Sequence, residues 1–128
     1  MVRPFAAVVL VLAATTAAYA QAPGTPTFTK DVAPILYKNC TNCHRPGEIG
    51  PMPLRTYVEV RPYARAIATR VTDGTMPPWH ADPAYGEYLN DRRLSAADKE
   101  TLIRWAAGGA PEGDPGDLPA APTFADGW

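Results

Sequence analysis

The chain has two cysteines, Cys40 and Cys43, and a histidine, His44, directly after the second. Residues at i, i+3 and i+4 share one face of a helical turn. On such a face each thiol can add to one vinyl group at a porphyrin edge, while the imidazole reaches the iron. Cys-x-x-Cys-His is the attachment pattern of a c-type haem. Thioether bonds resist reduction and use up both cysteines, so two suffice.

Three other chemistries compete for the same residues. A Cys-x-x-Cys redox pair belongs in a βαβ context, which the sequence pattern lacks. A zinc site would draw on Cys40, Cys43 and either His44 or His80, the only two histidines. Adjacent Cys43 and His44 converge poorly on one tetrahedral ion. The third is a plain disulfide with an incidental histidine.

An iron held by His44 alone would bind gases or peroxide, whereas a second protein ligand would dedicate it to electron transfer. Met76, Met52 and His80 are the candidates. Met76 follows a helical pattern and opens the segment "MPPWH". Pro77 and Pro78 stiffen that backbone and remove two amide donors, which suits a loop holding a sulfur in place. Met52 lies in the turn "GPMPL", whose Pro/Gly content shortens its reach, and core packing competes for it. His80 would make a bis-histidine site of lower potential; a thioether ligand favours ferrous iron. Trp79 is placed to wall a pocket or to donate to a haem propionate. Arg45, Arg61 and Arg65 are candidate propionate partners, although each also reads as a solvated surface cation.

Composition bounds the rest. There are 12 Lys and Arg against 13 Asp and Glu, a formal charge of −1. No basic excess marks the chain for nucleic acid or an anionic membrane. The first residues, "MVRPFAAVVLVLAATTAAYAQA", combine one cation, an apolar run and a small-x-small ending at Ala20. This predicts a signal peptide over residues 1–20 and an exported, periplasmic chain with no transmembrane segment once it is cut. Residues 21–27 read as a loose leader and 111–128 as a Pro/Gly-rich tail, leaving a domain over 28–110. The chain's 15 prolines and 10 glycines predict long, irregular loops.

Three helical segments are expected to position the candidate residues. The first spans about 30–39, with Thr29 as cap, Asp31 near its positive end and Pro34 in its first turn. Val32, Ile35 and Leu36 form its apolar stripe, which Cys40 and Cys43 continue. The second spans 55–72, with Val60, Ala64, Ile67, Ala68 and Val71 facing inward and Pro62 marking a kink or a late start. The third follows Ser95, buries Leu102, Trp105 and Ala106, and stops at Gly108 and Gly109. So few helices make little core, so a cofactor is the expected staple.

The segments "FTKDVAPIL", "CTNCHRPGEIGPM", "MPPWHADPAYG" and "NDRRLSAADKETLIRWAAGGAPEGDP" resemble exported monohaem cytochrome c domains of the class I type, as in acidobacteria-like and planctomycete-like organisms. The match runs from about Phe28 to Trp128. The resemblance implies an all-α domain wrapped around one covalent haem c, carried by Cys40 and Cys43. It implies His44 as proximal and Met76 as distal ligand. It also implies first and last helices that cross, bringing Val32, Ile35 and Leu36 toward Leu102 and Trp105. The expected role is a monomeric electron carrier, not an enzyme, working with redox partner proteins. Similar segments also stand ahead of copper monooxygenase-like domains that begin after a "DGW"-like end, which makes an electron-input module the second expectation. A five-coordinate, gas-binding or peroxidase-like haem is the third.

Overall fold

The computed structural model describes residues 24–125. The expected signal segment 1–20 lies outside the described residues. Every regular element among the described residues is helical, and none is long and apolar enough to cross a membrane.

The first helix opens wide. Phe28–Val32 winds as a π-turn, in which Val32 N–H donates to Thr27 O at 3.1 Å. Helix α1, Ala33–Asn39, follows with Pro34 in its first turn. Pro34 has no N–H to donate, so the ordinary i−4 ladder is interrupted there. Thr29 does not cap this segment. The helix entry is at Thr27, whose N–H donates to the Asp31 carboxylate at 2.7 Å. Thr29 is buried instead, because its N–H pairs with Glu112 O while that of Phe28 pairs with Pro111 O, both at 2.9 Å.

The expected helix over 55–72 is divided at Pro62. Helix α2 covers Tyr57–Val60, a 3-10 turn covers Arg61–Tyr63, and helix α3 covers Ala64–Thr72. Thr56 and Glu59 form a reciprocal capping box: Thr56 Oγ1 accepts from Glu59 N–H, and Glu59 accepts from Thr56 N–H. Val60, Ala64, Ile67 and Val71 are buried as expected, and Ala68 is half-buried.

Helix α4, Ala96–Ala107, begins where Ser95 Oγ accepts from Asp98 N–H at 3.0 Å. Its stop differs by one residue from expectation. Gly108 keeps a negative φ, while Gly109 (φ 88°) and Ala110 (φ 53°) take the left-handed region. Trp105, Leu102, Phe28, Val32, Leu36 and Val60 are fully buried in one core. Helix α4 rests on α3 and on the π-turn, with Phe28 and Trp105 rings 6.4 Å apart. The first and last helical segments therefore do meet, through that π-turn.

The described parts of the leader and of the Pro/Gly-rich tail make contacts with this core. Arg104 donates to Gly24 O at 2.8 Å, and Pro26 is buried. Beyond α4, Pro111 O accepts from the Trp105 indole at 2.9 Å, and residues 115–117 form a 3-10 turn against the π-turn. The open part of the molecule is elsewhere, in the turn after α1 and the long connection from α3 to α4.

Candidate cofactor site

Helix α1 ends at Asn39 and the cysteine motif continues its direction as a tight turn. Cys40 O accepts from Cys43 N–H at 3.1 Å and from His44 N–H at 2.9 Å. Both thiols are free and half-buried. Burial pushes the Cys40 thiol up to about 12, and the neighbouring Cys43 adds to the effect. Cys40 is therefore held as a neutral thiol, unlike the acidic thiol of a Cys-x-x-Cys redox pair. Among the described residues no three of His, Cys, Asp and Glu gather as one metal ion would require.

His44 is oriented by the chain that follows it. Its Nδ1 lies 3.1 Å from Met52 O, and Leu54 N–H donates to His44 O at 3.0 Å. The loop makes this return by passing Gly50 directly over the ring: Gly50 N–H donates to Cys43 O at 2.8 Å. A Cβ at residue 50 would stand 2.6 Å from that oxygen and 2.7 Å from Nδ1. Met52 thus serves His44 through its main-chain carbonyl, while its side chain packs against the core.

Met76 reaches the same place from α3. A cavity of about 230 Å³ is lined by Cys40, Cys43, His44 and Met76, together with Ile49, Gly50, Pro51, Pro77, Pro78 and Arg92. The four expected site residues are brought together around one mostly apolar space. Met76 keeps 41% of its surface exposed, so its thioether is not consumed by core packing. His80 is exposed and is not among the residues bounding the cavity.

The arginines fall differently from expectation. Arg61 and Arg65 line a separate hollow beside Ala106 and Gly109. Arg45 pairs with Glu48 at 2.7 Å and lies 4.0 Å above the Phe124 ring. The cation at the cavity is Arg92, with Nη1 3.9 Å from Cys43 Sγ. No periodic signal in the sequence singles it out, since it arrives from the irregular α3–α4 connection.

Trp79 packs edge-on against Tyr88, with ring centroids 5.8 Å apart. Its indole Nε1–H is buried and has no acceptor among the described residues. A buried donor left unpaired costs about 1–3 kcal/mol; Trp79 follows Pro77 and Pro78 in the chain but is itself not among the residues bounding the cavity. The donor set and the apolar lining fit a covalently held haem. No family model, no curated protein and no solved structure matches the chain.

Proposed function

We propose that this chain is an exported, periplasmic electron carrier with one covalent haem c. Cys40 and Cys43 would hold the cofactor through thioethers, and His44 and Met76 would ligate its iron. The observation that carries the reading is the single cavity bounded by all four side chains. When bound, the haem would supply a one-electron ferrous/ferric couple.

The chain's own residues supply the remaining functions. The Met52 carbonyl keeps the proton of His44 on Nδ1 and leaves Nε2 free as a ligand. Ile49, Pro51, Pro77 and Pro78 give the site an apolar lining. Arg92 places a cation at the thiol edge, and Trp79 offers an unused donor to a propionate. Two strong axial ligands leave no open position for a substrate, so the fold serves transfer and not turnover. Redox proteins are the partners this implies, and the class I cytochrome c-like wrapping of the helices belongs to the same proposal.

Carbon monoxide tests this reading against a gas-binding or peroxidase-like haem. Ferrous holoprotein with both axial positions filled should show no immediate spectral change under carbon monoxide, and Met76→Ala should bind it at once. Immediate binding by the unaltered protein would overturn the electron-carrier reading.

A further inference from the structure

Helix α3 ends in a turn built around Asp73. The Asp73 carboxylate accepts from Thr75 N–H at 3.1 Å and from Thr75 Oγ1 at 2.7 Å. Gly74, at φ 74°, reverses the chain between them. Met76 N–H then donates back to Arg70 O at 3.1 Å, and Arg70 lies 3.8 Å from Asp73. The start of the "MPPWH" segment is in this way pinned to a helix whose Ile67 and Val71 are buried in the core.

Downstream the ties are local: Trp79 packs on Tyr88, Asp82 Oδ1 accepts from Ala84 N–H, and no hydrogen bond among the described residues ties His80 to a helix. Beyond Pro78 the connection has only the short turn Pro83–Tyr85 before α4, and His80 is exposed within it. This one connection therefore carries two side chains able to ligate iron, one at a residue hydrogen-bonded to α3 and one exposed and without such a bond. We infer that Asp73 and Thr75 are positioning residues that select Met76 over His80 as the sixth ligand. The selection works through geometry: the two hydrogen bonds fix where residue 76 leaves the helix, which brings its side chain to the cavity wall. The same bonds from Thr75 hold the Asp73 carboxyl below the usual carboxylate range, so it is ionised and accepting at neutral pH.

The inference rests on the haem reading above, and its test separates the two. Holoproteins carrying Asp73→Ala, Thr75→Val or Thr75→Ser are compared with the unaltered chain. The near-infrared methionine-to-iron charge-transfer band of the ferric form is followed as imidazole is added. In the unaltered chain the band reports Met76 ligation itself; its absence there overturns Met76 as ligand and this inference with it, whereas covalent attachment is read separately by mass. With the band present, Asp73→Ala and Thr75→Val should lower the imidazole concentration at half-loss about tenfold, as expected for one or two lost hydrogen bonds. Thr75→Ser keeps the hydroxyl and should stay within about twofold. Asp73→Ala should also gain a bis-histidine spectrum that Asp73→Ala/His80→Ala lacks. Unchanged half-points in Asp73→Ala and Thr75→Val, at full haem load, overturn the inference. So does a Thr75→Ser protein that falls as far as Thr75→Val. If Asp73→Ala does not fold, the Thr75 pair decides.

Discussion

The Nδ1 atom of His44 stands 3.1 Å from the carbonyl oxygen of Met52. A carbonyl only accepts, so Nδ1 carries a proton, and in the neutral ring Nε2 is then the nitrogen with the lone pair. The ring is thus oriented and set in one tautomer by backbone alone. Gly50 makes the arrangement fit, since a Cβ there would meet both Cys43 O and the imidazole Nδ1.

Gly50→Ala should therefore damage the site more than the fold. The added Cβ would lie 2.7 Å from Nδ1 and 2.6 Å from Cys43 O. The nearest backbone must shift, and the His44–Met52 hydrogen bond goes with it. The expected outcome is a several-fold fall in holoprotein yield and a mixed-spin spectrum, with far-UV circular dichroism close to that of the parent. A fully loaded low-spin Gly50→Ala protein would show that the close approach is not required.

Trp79→Phe should have unequal consequences in the two forms of the chain. Without haem, as in a Cys40→Ala/Cys43→Ala background, the substitution removes a buried donor that has no partner. The relief of that donor and the packing lost with the smaller ring oppose each other, so stability should change by less than about 1 kcal/mol there. In the holoprotein, if a propionate accepts from the indole N–H as proposed, the same change should cost about 1.5–3 kcal/mol, the range for a hydrogen bond to a charged group. Urea unfolding of both pairs measures the difference. Equal effects in the two backgrounds would remove Trp79 from the cofactor's contacts.

Tyr37→Phe gives a pH-dependent prediction away from the site. The Tyr37 hydroxyl donates to Arg55 O at 2.9 Å, a bond worth about 1 kcal/mol. Burial raises its pKa above the ordinary 10.0, with Arg55 opposing and Glu59 adding. A folded pKa above the unfolded one means that the stabilisation is complete below pH 10 and is lost as pH rises through the folded value. The parent should exceed Tyr37→Phe by about 1 kcal/mol at pH 7, and the gap should close above pH 10. Urea titrations across that range check it; a gap constant to pH 11 would contradict the assignment.

Local chemistry made much of this legible. Ser95, the Leu102–Trp105 stripe and the glycines after Ala107 announce α4 at both ends. Pro62 announces a break that the structure resolves as a single 3-10 turn. Thr56-x-x-Glu59 was equally readable as a capping box, and places the start of α2 within a segment read as one helix. The cap at Thr29 failed for a tertiary reason: its N–H pairs with Glu112, which no local pattern reveals. The candidate site divides the same way. Cys40, Cys43, His44 and Met76 stand out by type and spacing. Arg92 and Gly50 do not, because what matters about each is a close approach in space.

The account depends most on covalent attachment of one haem to Cys40 and Cys43. The direct measurement is the intact mass of protein made with haem-maturation machinery, before and after acid–acetone extraction, beside a Cys40→Ala/Cys43→Ala control. The account predicts a gain of one haem per chain that survives extraction, a c-type pyridine haemochrome spectrum, and neither in the control. Polypeptide of unmodified mass, or pigment released into the acetone, would contradict it.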